Sequence, residues 1–319
     1  MAALVNLSGL LDDAKCFELV RQVRWPRALR CPDCGGEQVV RNGHDDTQPL
    51  RQRYVCRGCG VRFDDLSHTV LAGHHQPLKV WISCLYLMGL NLSNQQIAQE
   101  LGLITSDVQQ MTTHLRSGLA TRTPAVVLSG EVEIDEAYVT AGHKGNPEAV
   151  REYGRAGRRN RLKAARGRGT LEKEKPPILG IVQRGGEIAI KMLANVKQAT
   201  IKPLILASVA KGALIHTDEY DIYARLPKWG YGHKTVCHAD GEYARDEDGD
   251  GFHEVHVNTI EGVWSLLRSW LRPHRGISQE NLPLYLAFFQ FVHNARKRGK
   301  ALLPTLVEAL LAPEIGRIC

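Results

Sequence analysis

Four of the eight cysteines in this 319-residue sequence form two C-x2-C pairs, Cys31/Cys34 and Cys56/Cys59, each followed by glycine. Four thiolates on two such knuckles suit a tetrahedral zinc ion, and the glycines free backbone amides to turn toward sulfur. Disulfides or a redox pair fit a cytosolic chain with a duplicated motif badly. Three acids form a second set. Asp135 lies within the alternating "VEIDEAYV" (132–139), Asp218 closes the apolar "IHTD", and Glu261 sits in the first turns of "VNTIEGVWSLLRSW" (257–270). Carboxylates brought together repel unless a hard cation sits among them, and oxygen donors suit Mg²⁺ or Mn²⁺. Two such ions, ~4 Å apart, clamp the attacking and leaving oxygens of a phosphodiester displacement. Singly, each acid has an ordinary explanation. Asp135 could be a solubilising charge on an edge strand, Asp218 could open a following helix, and Glu261 with Asn258 could form a capping-box variant.

The elements that must position these groups are legible from periodicity. Between the cysteine pairs lie two short extended stretches, around Val39–Arg41 and Gln52–Val55, and a unit this small takes its folding energy from the metal. Residues 78–120 read as a helix over 78–89, a second opened by Ser93 with Gln96 and ended by Gly102, and a third opened by Ser106 with Gln109. Helix, glycine turn, helix is a helix-turn-helix pattern, which leaves Gln109, Gln110, Thr113 and Arg116 free to meet DNA. A plain helical hairpin is the alternative.

After Pro124 the period changes. Three strands, the last two a hairpin turning on Gly185–Gly186, precede a helix, two strands and another helix, which implies a mixed α/β sheet. In that final helix Ile260, Val263, Trp264, Leu267 and Trp270 face a core, while Asn258, Glu261, Ser265 and Arg268 form a polar line. Function in open α/β sheets collects at strand carboxyl ends, where the three acids are expected to meet.

Net charge is +7 with a pI near 9.0, which favours a polyanionic partner. Within the insertion 143–175, the stretch Arg151–Arg168 holds eight Arg or Lys against one acid. Its Arg158, Arg159, Arg161, Lys163, Arg166 and Arg168 are candidates for phosphate-backbone contact. "DEDGDG" (246–251) mimics a calcium loop, but Val257 stands where a bidentate Glu is required. His238, His253 and His256 read as scattered surface histidines rather than a second zinc site. No P-loop motif points to a nucleotide cofactor. No apolar run approaches the ~20 residues that span a bilayer. The N-terminal stretch reads as an amphipathic helix instead of a signal peptide. No membrane association and a cytoplasmic, nucleoid-associated location are expected.

"CPDCGG…YVCRGCGVRF", "EIDEAYV", "HTDEY" and "VNTIEGVWSLLRSWLR" together resemble bacterial insertion-sequence transposases that join an N-terminal zinc ribbon to a DDE-type catalytic domain. The resemblance covers about residues 15–300. It implies a ribonuclease H-like α/β fold preceded by a zinc ribbon and a helix-turn-helix-like segment. The implied divisions are 1–70 (N-terminal helix and ribbon), 71–125 (helical DNA-binding segment), 126–298 (catalytic domain) and 299–319 (C-terminal tail). By position it assigns Asp135, Asp218 and Glu261 as metal-binding acids and Arg268 as the basic residue seven positions on. Asn258 is the rival for the third place, since some relatives carry Asn there. The expected activity is cleavage of the element's terminal repeats and transfer of the strand to target DNA. Structural Zn²⁺, two catalytic Mg²⁺ or Mn²⁺ ions, and a homo-oligomer on double-stranded DNA complete the expectation. The rivals are a DNA-binding regulator or domesticated transposase that no longer cuts, and a nuclease without strand transfer.

Overall fold

A computed structural model describes residues 12–144, 146–152, 169–218, 220–236, 244–247, 249, 251, 253–274 and 276–312. The chain divides into two compact units: residues 1–124 with 299–319, and residues 125–298.

In the first unit α1 (Asp13–Arg24) precedes a three-stranded antiparallel sheet of β1 (Val39–His44), β2 (Gln52–Cys56) and β3 (Arg62–Asp64). Trp25, Tyr54 and Phe63 supply its small apolar core. Asp65, fully buried, ties the ribbon to α1. It accepts from both Arg21 Nε (3.0 Å) and the Tyr54 hydroxyl (2.9 Å), so its charge is paired where water cannot reach it.

The helices α2 (Leu78–Gly89), α3 (Asn94–Leu101) and α4 (Thr105–Arg122) follow. Ser93 and Gln96 form the reciprocal capping box read from the sequence, and Gly102 ends α3 in the left-handed conformation (φ 67°), which only glycine adopts freely. The next helix begins two residues earlier than an N-cap at Ser106 implies. Its N-cap is Ile104, and no side chain caps it. Gly118 packs α4 against Val70 so closely that an added Cβ would lie 2.3 Å from a Val70 methyl.

The second unit is built on a five-stranded sheet. Its strands are β4 (Glu131–Tyr138), β5 (Pro177–Gln183), β6 (Ile188–Met192), β7 (Leu214–Asp218) and β8 (Gly232–Val236), in the order β6-β5-β4-β7-β8. The first three are antiparallel, whereas β7 and β8 run parallel to β4 and to each other. This is a ribonuclease H-like sheet. A short helix α5 (Pro147–Glu152) interrupts between β4 and β5, and α6 (Gln198–Ser208) crosses from β6 to β7. A two-stranded pair, β9 (Ala244–Arg245) and β10 (Val255–His256), leads into α7 (Asn258–Leu271), and α8 (Leu282–Lys297) follows.

The two faces of the sheet bury separate cores. Ile134, Leu179, Ile181 and Ile215 pack with Ile201 and Ile205 of α6. On the opposite face Ala137, Ile178, Val182 and Ile190 pack with Ile260, Val263, Trp264 and Leu267 of α7 and Leu286 and Phe289 of α8. The edge strand β6 is covered, because Asn294 and Gln290 of α8 bond its backbone at Ile188 and Ile190. The C-terminal segment read as a tail contains α9 (Leu302–Leu311), which returns to the first unit and buries Leu306, Val307 and Leu310. No described helix is long and apolar enough to cross a membrane.

Candidate metal and nucleic-acid sites

The four knuckle sulfurs meet. All lie within 4.8 Å of one another, with Cys31–Cys59 at 3.7 Å and Cys34–Cys56 at 3.6 Å. A tetrahedron with Zn–S bonds of about 2.3 Å has edges of about 3.8 Å, so the donor set fits zinc. The spacing is far beyond the ~2.05 Å of a disulfide. Backbone amides of Cys59 and Gly58 donate to the Cys56 sulfur and hold its thiol down at about 7, the expected effect of knuckle amides on a thiolate.

Strand register relates two of the acids. Glu133 of β4 stands opposite His216 of β7 in the parallel pair. Asp135 and Asp218 each lie two residues further along the same two strands, beyond the last paired residues, and by alternation on the same face as Glu133 and His216. Asp218 is the last residue of β7, and its Oδ1 accepts from the Tyr220 amide at 3.2 Å. The Asp135 carboxyl is raised above the usual range, chiefly by burial and further by the negative charges of Asp218 and Glu261. Hydrogen bonds from Trp264 and from the Glu136 amide oppose that rise. The Trp264 indole donates to Asp135 Oδ2 at 2.8 Å. Glu261 lies one turn before Trp264 on the exposed side of α7, with Asn258, Ser265 and Arg268 along the same line. Among the described residues only the cysteines form a group of three or more ligating side chains within 4.8 Å. The carboxylates are near enough to feel one another but are not gathered as tightly.

Trp264 reaches Asp135 because the residue opposite Asp135 on β5 is Gly180. A Cβ there would lie 2.4 Å from the indole Cη2 and 2.8 Å from Ile260 Cδ1. Nothing in the sequence pattern pointed to that glycine.

The start of α7 differs from the capping-box reading. Its N-cap is Val257, and no side chain of the helix caps it. Glu133, fully buried on β4, does so from a distance. Its Oε2 accepts the Ile260 amide (2.9 Å) and its Oε1 the Thr259 hydroxyl (2.8 Å). Arg184 bonds Glu133 (2.8 Å) and Glu131 (2.5 Å) and donates to the carbonyls of Glu254 (2.7 Å) and His256 (2.9 Å). Beside this group His216 is buried, and its pKa is pushed down to about 4, chiefly by burial and then by Arg184. Sequence reasoning missed Glu133 and Arg184, although Glu133 shares its alternation phase with Asp135.

On α4 the candidate DNA face is smaller than expected. Gln109 and Gln110 are exposed and Thr113 is half-buried, but Arg116 is only 2% exposed. It stands at i+4 and i+8 from the buried Thr112 and Val108, on the packed side of the helix, so the assignment of Arg116 to the DNA face is corrected. Arg158, Arg159, Arg161, Lys163, Arg166 and Arg168 lie outside the described residues.

Comparison with known proteins adds three findings. The family described as ISXO2-like transposase domain matches residues 127–294, and the transposase zinc-ribbon domain matches residues 11–62. An uncharacterized protein in transposable element ISH50 of Halobacterium salinarum is 33% identical over 312 residues, 97% of this chain and 100% of that protein. A chain in the cryo-EM structure of the simian T-cell lymphotropic virus intasome in complex with PP2A regulatory subunit B56 gamma aligns at a TM-score of 0.28 and 11% identity. It covers 66% of this chain and 68% of that one, a likeness too loose to carry argument.

Proposed function

This chain belongs to the ISXO2-like transposases, DNA transposases with a zinc ribbon, and from that membership we propose that Asp135, Asp218 and Glu261 bind the divalent cations with which it cuts and joins DNA. The buried Asp135 carboxyl, raised chiefly by burial and further by the charges of Asp218 and Glu261, side chains far apart in sequence, is the observation that supports the reading. Their oxygens are the hard donors that Mg²⁺ or Mn²⁺ selects, and Zn²⁺ belongs to the thiolates. Bound there, two such cations would supply charge stabilisation to the attacking and leaving oxygens of a phosphodiester.

The chain's own residues set the terms for that chemistry. Trp264 commits one oxygen of Asp135 and so fixes the carboxylate's rotation. Repulsion from Asp218 and Glu261 makes Asp135 readier to accept positive charge. We assign Arg268, exposed two turns along α7 from Glu261, to a DNA phosphate. We assign Gln109, Gln110 and Thr113 to contact the element's terminal repeats, and the basic segment through Arg158–Arg168 to phosphates of end or target DNA. Pairing of two ends requires at least two protomers on DNA.

The test incubates purified protein with labelled end DNA and Mg²⁺, comparing wild type with Asp135→Asn, Asp218→Asn and Glu261→Gln. Retained binding with cleavage lost in all three supports the reading. A wild type that binds specifically and never nicks points to a regulator, and nicking without joining points to a nuclease. Loss in Asn258→Ala but not in Glu261→Gln would transfer the third place to Asn258.

A further inference from the structure

We propose that Glu133 is a positioning residue for the cation site. It anchors the helix that carries Glu261 to the strand that carries Asp135, and it rests on the reading that these acids hold the metal. The geometry is a ladder of two rungs. Glu133 and Asp135 are two residues apart on β4 and face the same side, a rise of about 6.7 Å. Their partners on α7, the Ile260 amide and the Trp264 indole, are four residues apart, a rise of about 6 Å. The rungs measure 2.9 Å and 2.8 Å. The two bonds tie successive turns of α7 to successive same-face residues of β4. Glu261 falls between the rungs. A shift or rotation of α7 that moved Glu261 relative to Asp135 would break at least one of them.

The chemistry of Glu133 supports an anchoring role over simple filling. A carboxylate can accept at every lone pair, and this one does so against donors on two sides. Oε2 takes the Ile260 amide, and Oε1 takes Thr259 and Arg184 while lying 3.3 Å from His256 Nδ1. A negative group at the N-terminus of α7 is also favoured by the unsatisfied amides there. Gln has the same volume but must present a donor at one end, toward either Ile260 N–H or Arg184. One side of the anchor is then lost.

The experiment uses the full chain with its ribbon zinc-loaded and no DNA, and measures Mn²⁺ binding by the electron paramagnetic resonance of free Mn²⁺. Thermal melting and Mg²⁺-dependent end cleavage are followed in parallel. For Glu133→Gln we expect Mn²⁺ binding weakened about 10–100-fold, the range for residues that orient metal ligands. Cleavage should need correspondingly more Mg²⁺, and end binding should be unchanged. Glu131→Gln, which loses an Arg184 contact without touching α7, keeps the wild-type Mn²⁺ affinity. Should Glu133→Gln fail to fold, Thr259→Val removes a single bond of the anchor and is expected to weaken Mn²⁺ binding several-fold. A lowered melting temperature with unchanged Mn²⁺ affinity, in either variant that folds, makes Glu133 merely structural and overturns the proposal. Asp135→Asn separates the two readings. If it abolishes Mn²⁺ binding while Glu133→Gln and Thr259→Val bind as wild type, only the positioning role falls. If Asp135→Asn binds as wild type, the cation site falls and the positioning role with it.

Discussion

Replacing Gly180 with alanine adds one methyl group at the most crowded point beneath α7. That carbon would sit 2.4 Å and 2.6 Å from Cη2 and Cζ2 of Trp264 and 2.8 Å from Ile260 Cδ1, where carbon atoms prefer about 3.5–4.0 Å. The indole must withdraw by roughly 1 Å, which stretches its 2.8 Å bond to Asp135 beyond hydrogen-bonding range. Overpacking of this kind costs about 1–3 kcal/mol and the lost bond about 1 kcal/mol, offset by up to ~1 kcal/mol because glycine is the poorer strand residue. A net loss of about 1–4 kcal/mol in a unit of this size lowers its melting temperature by roughly 2–16 °C. A 1 Å misplacement near the reacting groups also costs on the order of 100-fold in cleavage rate.

The sharper measurement is a double-mutant cycle. Trp264→Phe removes the two indole carbons that the methyl meets, so Gly180→Ala should destabilise the wild-type background and be neutral or stabilising in the Trp264→Phe background. The coupling should be about 1–3 kcal/mol. Calorimetric melting of the four proteins, with cleavage assayed alongside, gives both quantities. If Gly180→Ala melts and cuts as wild type does, the close approach of Trp264 to β5 is not what fixes Asp135, and the reasoning fails.

Three further outcomes follow from the same geometry. Stripping zinc with a chelator should expose four additional thiols to a thiol reagent and unfold the ribbon, while Cys31→Ser abolishes stoichiometric zinc binding. His216 has its pKa held near 4, below an unfolded value near 6.5, so the unfolded chain binds the extra proton between those pH values. Its contribution is whole above pH 6.5 and is lost as pH falls toward 4, by up to about 3 kcal/mol, so the stability of His216→Gln should fall less steeply over that window in denaturant titrations. Arg116→Met should leave the salt dependence of DNA binding unchanged, because a phosphate contact would have contributed about one unit of slope and a buried guanidinium contributes none. A slope reduced by one would return Arg116 to the DNA face.

Local rules carried the sequence reading as far as local interactions decide structure. The Ser93–Gln96 box, the left-handed Gly102, the hairpin at Gly185–Gly186 and the cysteine knuckles each depend on residues a few positions apart, and each stands where its spacing puts it. Period-two alternation placed Glu133 with Asp135 on one side of the strand, but alternation reports phase and not what covers a face. That face is covered by α7, which begins 127 positions after Glu131, so a residue readable as a solvated charge is fully buried. Arg116 failed for a related reason. A two-helix module leaves one arc of α4 open, yet this helix packs against α2, α3 and the distant α9, so its buried arc extends beyond the two-helix estimate.

The opening of α7 shows how such a contest is decided. Asn258-x-x-Glu261 satisfies the local pattern for a self-capped helix, but the Ile260 amide lies inside the protein, where the carboxylate with less to lose is the one already desolvated and paired with Arg184. Glu133 therefore takes the capping role, and Glu261 is released from it. An exposed carboxylate in the first turn of a helix, not spent on capping and near enough for its charge to act on Asp135, is better suited to a cation than the neutral amide of Asn258, whose backbone N–H is itself directed at His256 Nδ1. We therefore propose Glu261 for the third place, because a buried acid on β4 has relieved it of structural work.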